Sequence, residues 1–250
     1  MPQLRLNKFL AERIGVSRRE ADDLIAAGKV KVNGEVATTG AKVAVPTKRE
    51  KMNFNSFSEQ GRKDKIFEEN FDISDKVWYN GNIIPFETDF LYLAMNKPVG
   101  YVCSRRAQGD APTIYELLPK EYQKLKTVGR LDKDSSGLIL LTNDGDFAFQ
   151  MTHPKFKKEK IYEVELDQPL EPLHQQMISD YGVMLDDGPS RFLVLHDGDK
   201  YIVKLSEGRN RQIRRTFAAL GYQVKKLHRT NFGKYELSGL EPGKCVILKP

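Results

Sequence analysis

The chain has 250 residues, a length that suits one well-packed core and a smaller appended domain. It carries 40 Lys and Arg against 34 Asp and Glu, and this net charge of +6 favours a polyanionic partner. The two cysteines lack the spacing of a zinc site, no apolar stretch reaches membrane-span length, and the first residues lack signal-peptide character. We therefore expect a cytoplasmic location and no association with membranes.

The first 34 residues predict two helices and a hairpin. Apolar residues recur at helical spacing from Arg5 to Ile14, and Ser17-Arg18-Arg19-Glu20 has the pattern of a capping box that opens a second helix. Gly28 suits the end of that helix. Residues 29–32 alternate like a strand and lead into the hairpin turn Asn33-Gly34.

We expect residues 43–46 to continue the sheet of this hairpin, and residues 75–81 to form a closing hairpin. The stretch between them, residues 47–71, mixes both charge signs with Asn, Ser and Gly, and it is interpreted as an insertion. Its apolar residues are numerous enough to allow a packed helix. We place the boundary between two domains at residues 85–89.

The second predicted domain contains several strands and helices. Its strands are expected at residues 90–95, 138–141, 161–166, 192–195 and 201–205, and its helices at 112–118, 147–151, 170–177 and 213–220. Gly188-Pro189 is expected to form a turn. Asp144, which precedes a helix, is expected to cap it rather than to bind a metal, and the four histidines share no metal-ligand spacing.

One carboxylate stands out in this second domain. Asp132 follows the glycine turn at Gly129 and precedes a buried strand, a place where a side chain is held rigidly. Local physics alone also fits a polar loop in which Asp132 merely caps a turn.

Two further stretches carry chemistry-bearing side chains. Tyr162 lies on the buried face of an alternating strand, where it is either core filler or a platform for a bound ring. Arg211, Arg214 and Arg215 stand at i, i+3 and i+4 and are expected to share one helix face toward solvent or RNA.

Several of these segments together resemble one enzyme family. Gly129-Arg130-Leu131-Asp132 with Asp134-Ser135-Ser136-Gly137-Leu138 resembles the catalytic motif of the pseudouridine synthases, closest to the ribosomal RNA branch (the RsuA/RluB/RluE/RluF family). Residues 96–100, 160–164 and 207–215 resemble further motifs of that family in the same order. Residues 221–230 resemble its RluF branch in particular. Residues 17–21 and 32–34 resemble the S4 RNA-binding domain.

This resemblance implies an α+β fold: a small S4-like α+β domain over 1–86, then a catalytic domain over 87–250 with a mixed, mostly antiparallel sheet and flanking helices. It implies isomerisation of a uridine in ribosomal RNA to pseudouridine, without cofactor or metal. The large-subunit RNA is favoured, and the protein is expected to act as a monomer on ribosomal RNA or a pre-ribosomal particle.

The resemblance also assigns roles. Asp132 would attack the ribose as a nucleophile or remove a proton to give a glycal, and Arg211 would pair with it and keep it charged. The target uridine would leave its stack in the RNA, and Tyr162 would pack on its uracil. Arg130 would fill the space that this base leaves in the RNA, or hold a flanking phosphate. The whole set of expected RNA contacts is Arg130, Arg18, Arg19, Lys29, Lys31, Lys97, Arg209, Arg214 and Arg215.

Two other functions fit parts of the sequence. A non-catalytic ribosomal RNA-binding or ribosome-assembly protein would explain the charge, but it would leave the ordered motifs unexplained. A magnesium-dependent nuclease would use the neighbouring aspartates 132 and 134, and its activity would be abolished by EDTA.

Overall fold

The computed structural model describes residues 3–45, 75–86, 89–105 and 109–248, and the proposed insertion at 47–71 lies outside these ranges. The chain divides into two compact units, Met1–Phe90 and Leu91–Pro250. Within the described ranges, no helix is long and apolar enough to cross a membrane.

The N-terminal unit packs two helices against short strands. Its elements are β1 Gln3–Arg5, α1 Leu6–Arg13, α2 Arg18–Ala26, β2 Val30–Val32, β3 Glu35–Val36, β4 Lys42–Ala44, β5 Val77–Tyr79 and β6 Asn82–Ile83. The predicted capping box is confirmed: the Ser17 hydroxyl accepts the Glu20 backbone N–H at 3.1 Å, and the Glu20 carboxylate accepts the Ser17 N–H. Phe9, Leu10 and Ile25 lie in the core of this unit.

The strands of this unit form two sheets rather than one. One sheet has the order β3-β2-β5-β6, with the predicted turn at Asn33-Gly34, where both residues have positive φ. The prediction that residues 43–46 continue this sheet is wrong, because β4 pairs with β1 instead. The reason is that β3 and β5 already occupy both edges of β2.

The C-terminal unit is built on a large sheet. Its strands are β7 Tyr92–Lys97, β8 Lys126–Val128, β9 Ser136–Thr142, β10 Lys160–Leu166, β11 Val183–Leu185, β12 Gly188–Ser190, β13 Leu193–Asp197, β14 Lys200–Leu205, β15 Val224–Phe232, β16 Tyr235–Glu236 and β17 Cys245–Ile247. Its α-helices are α3 Gly145–Thr152, α4 Pro172–Gln176 and α5 Gln212–Ala219. Shorter helical turns cover Ile114–Leu117, Lys120–Tyr122, Pro154–Phe156 and Met177–Tyr181.

The sheet has the order β13-β14-β10-β15-β9-β7-β17, with β16 beside β15 and β8 beside β9. Only β9 and β15 are parallel among its described pairs, so the predicted mixed, mostly antiparallel sheet is confirmed. The turn predicted at Gly188-Pro189 is wrong, because these residues lie in β12 and the chain reverses just before them, at residues 186–187.

The register of three central strands places key residues in one row. Gly137 of β9 pairs with Arg229 of β15, which pairs in turn with Tyr162 of β10. A Cβ atom at position 137 would overlap the Arg229 carbonyl oxygen, and Gly137 has a φ of +106°. Only glycine therefore suits this close approach of the two strands.

Candidate active site

Asp132 lies in the loop that leads into β9, and hydrogen bonds hold the main chain of this loop. The Gly100 N–H donates to the Lys133 carbonyl at 2.7 Å, and the Ser135 N–H donates to the Asp132 carbonyl at 3.1 Å. The Cys103 sulfur lies 3.4 Å from both the N–H and the carbonyl oxygen of Leu131. These contacts fix the loop main chain on both sides of the Asp132 side chain.

Lys97 supplies the deepest of these supports. Its ammonium donates to the carbonyls of Ser135 at 2.6 Å and Pro98 at 3.0 Å, and its side chain is fully buried. Burial lowers the pKa of Lys97, and the nearby carboxylates of Asp132 and Asp134 oppose that shift. The prediction that Lys97 contacts RNA is therefore wrong for this structure: no phosphate can reach the amine, which instead supports the Asp132 loop.

Arg211 lies beside Asp132 but is held by a different carboxylate. Its two terminal nitrogens donate to the two Asp134 carboxylate oxygens at 2.9 and 2.7 Å. The same guanidinium lies 3.7 Å from Asp132 Oδ2, with the Arg211 side chain 43% and the Asp132 side chain 36% exposed. The hydrogen bond from Arg211 is the main cause that lowers the pKa of Asp134. Asp134 thus orients the guanidinium that faces Asp132.

The i, i+3, i+4 spacing predicted one shared face for Arg211, Arg214 and Arg215, but the structure brings only Arg211 and Arg214 to a common carboxylate, Asp134. Arg211 is the N-cap of α5 and has a φ of +44°, so its backbone does not follow the helical geometry that sets the side-chain spacing of Arg214 and Arg215. Arg214 also turns to Asp134, with its Nε at 3.3 Å from Oδ2. Arg215 instead binds Asp187 through two hydrogen bonds of 3.0 and 2.8 Å.

Arg209 joins Arg215 in holding the β11–β12 hairpin. It donates to the Asp187 carboxylate at 3.0 Å and to the carbonyls of Gly188 and Pro189 at 3.1 and 2.8 Å. Most of the hydrogen-bonding capacity of Arg209 is therefore used within the protein.

A cleft of about 330 Å³ opens between the Asp132 loop and the segment that follows β14. Asp132, Arg211 and the exposed Arg130 line its mouth, whereas Tyr162, only 8% exposed, lines it more deeply. Lys160 and Arg229 also line this cleft. The size suits a small planar ring between a carboxylate and a tyrosine.

For the isomerisation, sequence reasoning assigned no role to Asp134, Lys160 or Arg229, and Asp134 entered only the alternative of a magnesium-dependent nuclease. Asp134 stands two residues after Asp132, and Lys160 stands two before Tyr162 on the same strand face, so their spacing was visible. Arg229 occupies the same face of β15 as the buried Leu227, and a cation at an apolar position of an alternating strand is the signal that could have found it.

Among the residues that the structure describes, no group of three or more His, Cys, Asp or Glu comes together as a metal site. Asp144 caps α3 as predicted, accepting the N–H groups of Asp146 and Phe147 at 2.9 and 3.0 Å. Asp134 is engaged by two arginines, so it and Asp132 do not present two open carboxylates.

In the N-terminal unit, Arg18, Arg19, Lys29 and Lys31 are all exposed. No ion pair involves any of them within the described residues. Exposure is a requirement for a phosphate contact, and the RNA-binding role of these four residues stays a prediction.

Comparison with known proteins gives a consistent result. The model of the RNA pseudouridylate synthase family matches residues 91–219, and the S4 domain model matches residues 4–45. The ribosomal small subunit pseudouridine synthase A of Pasteurella multocida (strain Pm70) is 37% identical, covering 94% of this chain and 90% of the relative. The ribosomal large subunit pseudouridine synthase B of Bacillus subtilis (strain 168) is 32% identical, covering 98% and 92%. A crystal structure of a pseudouridylate synthase aligns over 98% of this chain and 96% of its own, with a TM-score of 0.63 and 32% identity.

Proposed function

Because the chain belongs to the RNA pseudouridylate synthase family, we propose that it isomerises a uridine of ribosomal RNA, with Asp132 as the catalytic carboxylate. One observation carries the proposal. Asp132 lies on a loop whose main chain is held by hydrogen bonds, at the mouth of a cleft that Tyr162 also lines. Its carboxylate is 3.7 Å from the Arg211 guanidinium.

The reaction needs no more than this chain provides at that point. The C1′–N1 glycosidic bond breaks, the uracil turns, and C5 bonds to C1′, without any net redox change. Asp132 acts either by attacking C1′ or by removing a sugar proton to form a glycal. In both routes it reacts as the carboxylate, and the Arg211 guanidinium lies 3.7 Å from Asp132 Oδ2.

Asp134 fixes the position of Arg211. A bidentate pair between a guanidinium and a carboxylate has a defined plane, so this pair holds Arg211 Nη1 at 3.7 Å from Asp132 Oδ2. Asp134 is therefore a positioning residue for Arg211. A nuclease that binds magnesium through both aspartates fits this geometry poorly, because Asp134 is already engaged.

The target uridine must leave its stack to reach the cleft, at a cost of a few kcal/mol. Stacking of the base on Tyr162 offsets part of that cost, since base–aromatic stacking contributes roughly 1–3 kcal/mol. Arg130, exposed at the mouth, is placed to hold a flanking phosphate or to fill the vacated space.

Ribosomal RNA is proposed as the substrate because relatives similar over nearly the whole chain are named for it. The C-terminal resemblance favours large-subunit RNA, whereas these relatives are named for either subunit, so both RNAs need to be mapped. The S4 domain supplies affinity through the exposed Arg18, Arg19, Lys29 and Lys31. A chain with this substrate works in the cytoplasm.

The first prediction tests the catalytic assignment with Asp132→Ala. We expect pseudouridine formation to fall by at least ~10³-fold, because the carboxylate at the sugar is removed. The dissociation constant for RNA should stay within about threefold, because phosphate contacts supply most of the affinity. The measurement is tritium release from RNA labelled at uridine C5, with pseudouridine mapping of both ribosomal RNAs.

Asp199→Ala, at an exposed turn outside the cleft, serves as the matched control and should keep full activity. Full activity in Asp132→Ala would refute the assignment. RNA binding by the wild-type protein without any tritium release would instead support the non-catalytic alternative. Activity in EDTA with folded RNA is expected, and its loss would revive the nuclease hypothesis.

A further inference from the structure

In the deep part of the cleft, two cationic side chains pack against one aromatic ring. Lys160 Nζ lies 5.4 Å and Arg229 Cζ 4.9 Å from the centroid of the Phe232 ring. All three residues line the cleft together with Tyr162. The sheet register explains why they meet, since Lys160 of β10 pairs with Phe232 of β15, and Tyr162 pairs with Arg229.

Arg229 is 2% exposed, yet its hydrogen-bonding capacity is mostly unused. Its Nε donates to the Leu138 carbonyl at 2.8 Å, and within the described residues its buried Nη2 has no hydrogen-bond partner. A buried guanidinium without a carboxylate is costly unless something else satisfies it. The close approach to Gly137 fixes the main chain of Arg229, and the hydrogen bond to Leu138 holds its side chain.

Lys160 is also short of anionic partners. Its ammonium makes two long hydrogen bonds, of 3.3 Å, to the carbonyls of Lys158 and Glu207. Burial, followed by repulsion from Arg229, lowers the pKa of Lys160 to about 8, while Glu207 opposes the shift. The Glu207 carboxylate is already engaged by Gln212 and lies 3.6 Å from Arg209.

The charges around the cleft do not balance. The cations that line it are Lys160 and Arg229 in its deep part, Arg130 beside Asp132, and Arg209 and Arg211 after β14. The described carboxylates that line it are Asp132, which faces Arg211, and Glu207. Arg209 and Arg211 are engaged by Asp187 and Asp134 outside the cleft. The lining cations that join no ion pair within the described residues are therefore Arg130, Lys160 and Arg229. Two cations held this close raise the free energy of the empty cleft, and an anion that enters between them lowers it.

We infer that Lys160 and Arg229 form an anion site that holds the uracil ring while it is detached from the ribose, an inference that rests on the function proposed above. When the C1′–N1 bond breaks, its electron pair stays on N1 and the negative charge spreads onto the carbonyl oxygens of the ring. The ribose meanwhile is bonded to Asp132 or is a glycal, so the inference holds for both routes.

The remaining steps balance without another reactant. C5 of the bound uracil anion bonds to C1′, the Asp132 carboxylate leaves or the glycal regains its proton, C5 loses its proton, and N1 gains one. Two cations on the carbonyl oxygens would stabilise the charge that develops during cleavage and keep the free ring in the cleft while it turns. A backbone phosphate is the alternative anion for this site, and it makes different predictions.

The test uses the full-length chain with Lys160→Met, Lys160→Arg and the control Lys204→Met, a half-buried lysine of β14 outside the cleft. We expect Lys160→Met to lower the single-turnover rate at saturating RNA by about 100-fold at pH 7, as loss of one preorganised donor does. The dissociation constant for RNA and its salt slope should not change. Lys204→Met should match the wild type.

The pH profile separates a charge effect from a packing effect. The charged and titratable groups facing Lys160 are Arg229 on β15, Tyr162 on β10, Glu207, Arg209 and Arg211 after β14, and Arg130 and Asp132 before β9. The lysine is charged below its folded pKa, so the wild-type single-turnover rate at subsaturating RNA, which reports the free protein, should fall as pH rises through about 8. Lys160→Arg should keep its rate there, while any titration of the RNA itself would affect both proteins equally.

A wild-type rate in Lys160→Met would overturn the inference. A weaker affinity with a reduced salt slope and an unchanged saturated rate would also overturn it, in favour of a phosphate contact. If Lys160→Met fails to fold, identical pH profiles of Lys160→Arg and the wild type would overturn it. Failure of the proposed function is distinguishable, since the wild type would then form no pseudouridine at all, and the inference would fall with it.

Discussion

The basic residues of the two units are held in different ways. In the N-terminal unit, Arg18, Arg19, Lys29 and Lys31 extend into solvent and, among the described residues, join no ion pair. In the C-terminal unit, several cations around the cleft are held by the protein: Lys97 is buried on carbonyls and Arg211 is fixed by a carboxylate, whereas Arg130 is exposed. We expect the first group to change how tightly RNA binds, and the second group to set the positions of the groups that do chemistry.

The largest effect on turnover in this comparison is expected for Arg211→Lys. A lysine keeps the charge but cannot bind both Asp134 oxygens while facing Asp132, so the Asp132 carboxylate loses its oriented partner. We expect the single-turnover rate to fall about 100-fold, as small displacements in active sites do. RNA affinity should change less than about threefold, as measured by filter binding.

Arg215→Lys is the matched control, because Arg215 lies on the same helix and binds the Asp187 carboxylate outside the cleft. It should leave the rate nearly unchanged. An unfolding temperature close to that of the wild type is expected for both variants, since an exposed ion pair contributes only about 0–1 kcal/mol. A wild-type rate in Arg211→Lys would show that oriented contact with Asp132 is not needed.

The difference between these two groups marks where sequence reasoning stops. Short-range signals predicted the capping box at Ser17, the turn at Asn33-Gly34 and the strand that carries Tyr162, because each depends on residues close in sequence. The pairing of β4 with β1 rather than with the hairpin could not be predicted, since it depends on which edges other strands occupy.

The same limit applied to the candidate site. The resemblance to the family's motifs led to Asp132, Tyr162 and Arg211, and the structure brings these three to one cleft. The sequence could not show that Asp134 binds Arg211, because residues 134 and 211 are far apart in sequence. Nor could the sequence tell the buried Lys97 from an exposed lysine, because Lys97 is the last residue of β7 and lies beyond the apolar run at 90–95 that predicted the strand.

A smaller effect is expected for Lys97→Met. The variant leaves the carbonyls of Pro98 and Ser135 without their shared donor, so the Asp132 loop should loosen and the rate should fall roughly 10-fold. The salt slope of RNA binding should stay the same, because the amine is out of reach of phosphates. Single-turnover kinetics and salt titrations test both statements, with the exposed Lys124→Met as control.

A reduced salt slope in Lys97→Met with an unchanged rate would mean that Lys97 contacts RNA after all, as its position in the sequence motif had suggested. The melting temperature gives a separate reading of the same support. Unsatisfied buried carbonyls cost about 1–3 kcal/mol, although removal of a buried ammonium offsets part of that cost. We therefore expect Lys97→Met to melt a few degrees below the wild type.

The smallest effect on turnover is expected from the N-terminal unit. Replacement of Arg18, Arg19, Lys29 and Lys31 together by Gln should leave the rate at saturating RNA unchanged, since none of them belongs to the cleft. The slope of log K against log salt should become shallower by about 0.7–0.9 for each phosphate that is no longer neutralised. Exchange of Arg18 and Arg19 for Lys keeps the charge and should preserve the slope. A slower saturated rate with an unchanged slope would mean that these exposed cations act on the chemistry, and the distinction between the two units would then fail.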